Sequence, residues 1–146
     1  MGYPNAYTAY QRTNVNTASQ GRLVVLLYEG AIKHLNGAIT LFGVNDKLKP
    51  SDIEQFGLHI QKAQAIITEL HVTLDMEKGG EIARNLMSLY LYFNEELLDA
   101  NINKNKTKLQ FIAKMMNELA ESWRIIANST ANAPKAKVQN TVNIVG

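Results

Sequence analysis

The sequence predicts an all-α protein that folds as an antiparallel up-down four-helix bundle. In four long segments, apolar residues recur at intervals of three and four, which is the spacing of one helix face. No segment reads as a strand, and the connections between the four segments are short enough to join neighbouring antiparallel helices. The chain has 146 residues, of which 46% are hydrophobic, and this is enough for one domain with its own core.

The first helix is predicted to run from about Gln20 to Phe42. Its start is marked by the capping box Thr17-x-x-Gln20, with Ser19 as a second possible cap, and its end by Gly43. Its apolar face comprises Leu23, Leu26, Leu27, Ala31, Leu35, Ala38, Ile39 and Phe42.

The second helix is predicted to start at the capping box Ser51-x-x-Glu54 and to stop at Gly79 and Gly80. Its apolar stripe comprises Ile53, Phe56, Ile60, Ala63, Ile67, Leu70 and Leu74. Each of these side chains is expected to face the core of the bundle.

The third helix is predicted over about 81–101, and the fourth from the capping box Thr107-x-x-Gln110 to about Asn128. The inward residues of the third helix are Ile82, Leu86, Leu89, Tyr90, Phe93, Leu97 and Ala100. Those of the fourth are Leu109, Ile112, Ala113, Met116, Leu119, Trp123 and Ile126.

Two ends are predicted to lie outside the bundle, which occupies residues 17–128. Residues 1–16 form an N-terminal strap with tyrosines at positions 3, 7 and 10, spaced to share one side of a short helical turn. Residues 129–146 are rich in Asn, Thr, Ala and Val, contain Pro134 and are interpreted as a flexible tail. Both a removable strap and a permanent one fit this sequence.

The composition limits the cellular compartment and the kinds of partner that we expect for this protein. There is no cysteine, which excludes disulfides and thiolate metal sites and favours a reducing compartment, the cytosol. The net charge is +2 and no lysine-arginine cluster occurs, so nucleic acid is not an expected partner. No signal peptide or membrane-spanning run is visible, so membrane insertion is not expected.

The motifs of catalysis and metal binding are also missing from the sequence. It contains no P-loop, no dinucleotide-binding glycine pattern, and no Glu-x-x-His pair of the kind that di-iron bundles use. The histidines His34, His59 and His71 lack carboxylates at ligand spacing and are interpreted as surface or partly buried residues. We therefore expect no enzyme activity, no cofactor and no metal.

Two helices carry more apolar residues than one core-facing stripe needs. The first contains the run 23–28 (LVVLLY) and the third the run 86–93 (LMSLYLYF). Val24, Val25, Met87, Leu91 and Tyr92 cannot all be buried, whichever face meets the core. Exposed apolar patches usually mark partner surfaces, and we interpret the surplus apolar residues of these two helices as such a surface. The alternative is an irregular bundle, or tails that cover these residues.

The segment Tyr10–Gly30 resembles the bacterial flagellin-export chaperones, the FliS family. The family pattern of Tyr, Val-x-Thr-Ala-Ser and Leu-x-x-x-Leu-Tyr-x-Gly is matched by Tyr10, Val15, Thr17, Ala18, Ser19, Leu23, Leu27, Tyr28 and Gly30. Gln20 and Leu26 depart from the usual proline and methionine. A second match covers 79–101, with Ala83, Leu86, Leu89, Tyr90, Leu97, Ala100 and Asn101, and Trp123 fits the family's late tryptophan.

The resemblance implies a cytosolic chaperone that binds the disordered C-terminal segment of flagellin, one to one as a monomer. It would prevent premature polymerisation and present the client to the flagellar export gate. The candidate partner-binding residues are Tyr7, Tyr10, Val24, Leu27, Met87 and Leu91, while Gly30 would serve close helix packing. The main alternative is a self-associating helical-bundle adaptor with a different partner, and a second is a small helical enzyme or metal carrier.

Overall fold

The computed structural model describes the backbone of residues 17–132 and the side chains of residues 20–129. This part of the chain forms four helices: α1 (Thr17–Ile39), α2 (Ile53–Thr73), α3 (Met76–Asn103) and α4 (Lys106–Asn132). It contains no strand, and its only extended pairing is an isolated bridge between Phe42 and Leu48. The all-α prediction is therefore confirmed.

The helices run alternately up and down. The ring of Phe42, just after α1, meets that of Phe56, near the start of α2, with centroids 5.4 Å apart. Gly21, early in α1, lies against Ala127, late in α4, where a Cβ on the glycine would be 3.2 Å from the alanine Cβ. α1 packs extensively against both α2 and α4, whereas the contact between α3 and α4 is the sparsest between neighbouring helices. These contacts define the antiparallel bundle that the sequence predicts.

The connection between α1 and α2 is longer than predicted, because α1 ends at Ile39 and not at Phe42. The chain then turns back on itself, with the Gly43 amide donating to the Lys47 carbonyl oxygen at 2.9 Å. The predicted Ser51 capping box is wrong. Pro50–Asp52 forms a 3₁₀ turn that leads directly into α2, and neither start carries a side-chain cap, because Ser51 already lies inside the turn.

The connection between α2 and α3 also differs from its prediction. α2 ends at Thr73, six residues before the Gly79–Gly80 pair at which its end was expected. Asp75 then caps α3, its carboxylate accepting hydrogen bonds from the amides of Glu77 and Lys78 at 3.1 and 2.9 Å. Gly80 interrupts α3 with a φ of 57° and a ψ of −130°, which produces a kink after its first turn.

The start of α4 lies slightly before its predicted capping box. Asn105 is the cap, its side-chain oxygen accepting from the Lys108 amide at 3.0 Å, and the helix begins at Lys106 instead of Thr107. Lys104, in the left-handed conformation at a φ of 52°, closes α3 directly before it. The two-residue connection confirms that α3 and α4 are adjacent antiparallel helices.

One continuous core fills the bundle. Its largest fully buried side chains come from all four helices: Tyr28, Leu35, Phe56, Ile60, Ile67, Leu70, Tyr90, Phe93, Leu97, Leu109, Ile112 and Met116. Three predicted core residues are wrong. Leu26 is 63% exposed, because it lies on the opposite side of α1 from the buried Val24 and Tyr28. Ile53 and Ile82 are 45% and 53% exposed, because each lies at the beginning of its regular helix, where the neighbouring helix no longer covers it. Within the described residues, no helix is long and apolar enough to cross a membrane.

Candidate functional site

The outer side of α3 carries an apolar stripe that the core does not use. Met87, Leu91, Leu98 and Ile102 are separated by four, seven and four residues, which places them on one side of the helix. Met87 is half-buried, and the other three are 50%, 55% and 67% exposed. We call these four residues the α3 stripe. An exposed apolar row of this length on a single helix is typical of a partner surface.

The α3 stripe borders α2, and polar groups join the two helices beside it. Gln64 donates from Nε2 to the Asn94 carbonyl oxygen at 3.2 Å. Asn94 donates from Nδ2 to Thr68 Oγ1 at 3.1 Å. Further along, a Cβ at Gly57 would have its nearest neighbours, the side-chain atoms of Asn101, at 3.8 Å and beyond. The α2 side of this border is therefore made of small or polar residues, which leaves the stripe open to solvent.

A second apolar surface follows the border between α3 and α4. Lys108 of α4 binds Glu96 at 3.1 Å and Asp99 at 2.6 Å on α3, which shows the sides of the two helices that face each other. Its hydrogen bond to Asp99 holds the pKa of that carboxyl below its ordinary value. On the same sides, at helical spacing, lie five apolar residues that are partly buried or exposed: Leu89, Tyr92, Met115, Leu119 and Ile126.

The third feature is a cleft between the start of α1 and the end of α4. It has a volume of about 360 Å³ and is lined by Arg22, Val25, Leu26, Glu29, Arg124, Ala127 and Asn128. Leu26 is 63% exposed in it. Arg124 forms an ion pair with Glu29 across the cleft at 3.2 Å, and a second one along α4 with Glu121 at 3.0 Å.

The structure separates the residues that the sequence grouped as partner contacts. Met87 and Leu91 lie together on the α3 stripe. Leu27 is partly buried and packs against the core on α1. Val24 is a correction: it is 2% exposed inside the core, because it shares the inward face of α1 with Tyr28 and Leu35, and a partner cannot reach it. Tyr7 and Tyr10 lie outside the described residues.

Sequence reasoning missed Leu98 and Ile102, the two most exposed members of the stripe. A signal for them was present, because continuing the helical spacing from Leu91 by seven and eleven residues leads to both. The prediction stopped at the long apolar run 86–93, whereas the exposed row extends about two and a half turns beyond it, to Ile102.

These surfaces suit binding rather than chemistry. Among the described residues, no group of three or more histidine, aspartate or glutamate side chains is placed to hold a metal ion. The exposed groups on the α3 stripe are alkyl and thioether side chains, which have no acid, base or nucleophile to contribute. What they can do is exclude water from an apolar partner.

Known proteins resemble this chain over most of its length. The model of the family described as "Flagellar protein FliS" matches residues 3–130. Curated relatives named "Flagellar secretion chaperone FliS" include proteins of Campylobacter jejuni subsp. jejuni, with 32% identity, and Bacillus subtilis, with 31%. Each match covers 85% of this chain, and 92% and 87% of the relatives respectively.

A third relative with the same name, from Salmonella typhimurium, is 35% identical over 87% of this chain and 86% of its own length. These names denote chaperones and not enzymes. The family match covers most of the chain, including every described side chain, and extends into the segments on either side of them. The chain therefore belongs to the FliS family of flagellar proteins.

Proposed function

We propose that this protein is a cytosolic flagellar secretion chaperone whose client is the C-terminal segment of flagellin. The names of its relatives support the chaperone role, and the resemblance described above supports the choice of client. The observation on this chain that carries the proposal is the α3 stripe, an apolar row that remains exposed although the bundle has a complete core.

The stripe has the chemistry that an amphipathic client helix requires. Such a helix is recognised through apolar residues that repeat at three- and four-residue intervals, and the stripe repeats in the same way. A client that folds as it binds carries an ordering cost of roughly 2–5 kcal/mol. Full burial of such a side chain contributes on the order of 1.5–3 kcal/mol. Leu91, Leu98 and Ile102 are 50%, 55% and 67% exposed, so roughly half of that remains to be gained at each, and together they would offset that cost.

Covering the client's own apolar face would prevent premature polymerisation, and the complex would then be handed to the flagellar export gate. We assign the N-terminal segment, with Tyr7 and Tyr10, to gate docking and to partial cover of the client surface. Amphipathic rings on a chain end suit contacts that must form and break. A monomer binding one client is the proposed stoichiometry.

Calorimetric titration of the purified chain with the C-terminal segment of flagellin from the same organism tests this function. We expect one-to-one binding, a negative heat-capacity change and a gain of helix by circular dichroism. Leu91→Ser should weaken binding by about tenfold, equivalent to about 1.4 kcal/mol, because it removes an alkyl group whose exposed half the client would cover. Tyr10→Ala should weaken binding or export without unfolding the bundle.

Val44→Ser is the matched control, because Val44 is 87% exposed in the connection between α1 and α2 and lies off the stripe. It should bind as tightly as the unaltered chain. Equal affinities for the Leu91 and Val44 variants would remove the stripe from the client surface. The adaptor alternative makes the stripe a contact between two copies, and sedimentation of the free chain as a dimer that Leu91→Ser dissociates would favour it.

A further inference from the structure

Two histidines meet across the border between α1 and α2, away from the α3 stripe. His34 Nδ1 and His59 Nδ1 are 3.2 Å apart, within hydrogen-bonding distance. The two ring centroids are 5.4 Å apart and the ring planes are inclined by 43°. Both side chains are partly buried. They are therefore a defined contact of the folded bundle and not two freely rotating surface groups.

The surrounding backbone is shaped for this contact. A Cβ at Gly37 of α1 would lie 2.7 Å from His59 Cε1 and 2.9 Å from both ring nitrogens. Only a glycine leaves room for the imidazole in this position. One heptad earlier, a Cβ at Gly30 would lie 3.3 Å from Ile66 Cδ1, so the two glycines bring α1 and α2 close together along the same border.

The number of protons on the pair decides whether the contact attracts or repels. One nitrogen must donate and the other must accept, so at least one Nδ1 has to keep its lone pair. A first proton added to the pair can be shared in such a bond. A second leaves two N–H groups, on two cations, pointing at each other across 3.2 Å.

The groups around the pair also oppose the uptake of a second proton. Burial lowers the pKa of His34 below its ordinary value of 6.5, and His59, Lys62 and Lys33 lower it further. These groups lie on α1 and α2. Each of them is a base that is or can become positively charged, so they oppose a further proton on His34.

We propose that the His34–His59 pair makes the border between α1 and α2 sensitive to pH, holding the two helices together when the pair carries at most one proton and loosening them when it carries two. The sign follows from proton counting. Below about pH 6.5 both histidines of the unfolded chain take up protons, but the folded pair resists the second. Stability is therefore complete above that pH and is lost as the pH falls below it. The device does not depend on the identity of the client.

Two measurements test the proposal on the full chain without client. In an NMR titration of the imidazole resonances, His34 should take up its proton below pH 6.5, and the Gly37 amide resonance should move with it. In thermal unfolding between about pH 7.5 and pH 5, the midpoint should fall by a few degrees more than in His34→Asn. Asparagine keeps a hydrogen-bonding atom near the position of Nδ1 but does not titrate.

His71→Asn is the control, because His71 lies on α2, outside the pair, and its replacement should leave the pH dependence of the unaltered chain in place. The proposal is overturned if the unaltered chain and His34→Asn lose the same number of degrees, or if His34 titrates at or above pH 6.5. The NMR result decides the matter on its own should the asparagine variant fail to fold.

Discussion

At the centre of the bundle the hydroxyl oxygens of Tyr28 and Tyr90 lie 2.5 Å apart, among side chains that are otherwise apolar. Burial raises the pKa of Tyr28 to about 12, although hydrogen bonds with Tyr90 and Trp123 lower it in part. Burial also raises the pKa of Tyr90, and the neighbouring Tyr28 raises it further. Both hydroxyls are therefore neutral at physiological pH, and their bond joins α1 to α3 across the bundle.

Tyr28→Phe should destabilise the protein by about 1–3 kcal/mol, because it leaves the buried Tyr90 hydroxyl without its partner. The double variant with Tyr90→Phe should cost less than the sum of the two single variants, since no hydroxyl then remains unsatisfied. Urea denaturation of the four proteins in this cycle measures both effects. Tyr92→Phe is the control: this ring is 43% exposed, and its change should stay within about 0.5 kcal/mol. Additive losses in the cycle would contradict a coupled pair.

At the scale of the elements, helical periodicity was sufficient to predict four helices, their order and most of their buried faces. The ends were harder, because several residues compete for each cap. Ser51 has the better capping sequence, but Pro50 places it inside a 3₁₀ turn. Asp75 caps α3 without a glutamate three residues later, so the sequence shows only one of the two residues of a capping box there. The sequence therefore predicted correctly which helices exist, but not where several of them begin and end.

For the candidate site too, the sequence predicts what depends on local patterns and not what depends on how the helices pack. Met87 and Leu91 were predicted as partner contacts because they lie in a conspicuous apolar run, and that role stays a prediction. Val24 was misassigned because a run that is apolar all round does not show which side faces the core. The contact between His34 and His59 has no local signal at all, since it depends on how closely α1 and α2 approach.

Two glycines in helices should respond to the same substitution in opposite directions. Gly80→Ala should destabilise the protein by about 1–3 kcal/mol, because a φ of 57° with a ψ of −130° is a conformation that only glycine adopts readily. Gly57→Ala should stabilise it by about 0.5–1 kcal/mol, because alanine favours the helix and the added methyl has space. Thermal unfolding measures both. A neutral Gly80 variant would mean that α3 can run straight through the kink.

Across the whole molecule, packing is uneven. α1 contacts α2 and α4 extensively, and two close approaches reinforce it: a Cβ at Gly21 would lie 3.2 Å from Ala127 Cβ, and the one at Gly30 would lie 3.3 Å from Ile66. α3 contacts its neighbours less, and Lys108 bridges it to α4 with ion pairs that are partly exposed. Exposed ion pairs contribute little to stability. The helix with the exposed stripe is thus also the one that the bundle holds least firmly.

This unevenness predicts the pattern of amide hydrogen exchange. Without client, amides of α3 should exchange faster than those of α1, because local opening is easiest where few apolar contacts are lost. A bound flagellin segment should slow α3 most, since it would cover the stripe and add the contacts that the bundle lacks, and it should leave α1 almost unchanged. Mass spectrometry of exchanged peptides, with and without client, measures both quantities. Client protection confined to α1 and α2 would place the binding surface elsewhere, while equal exchange in α1 and α3 of the free chain would show that the bundle opens as one unit despite its uneven packing.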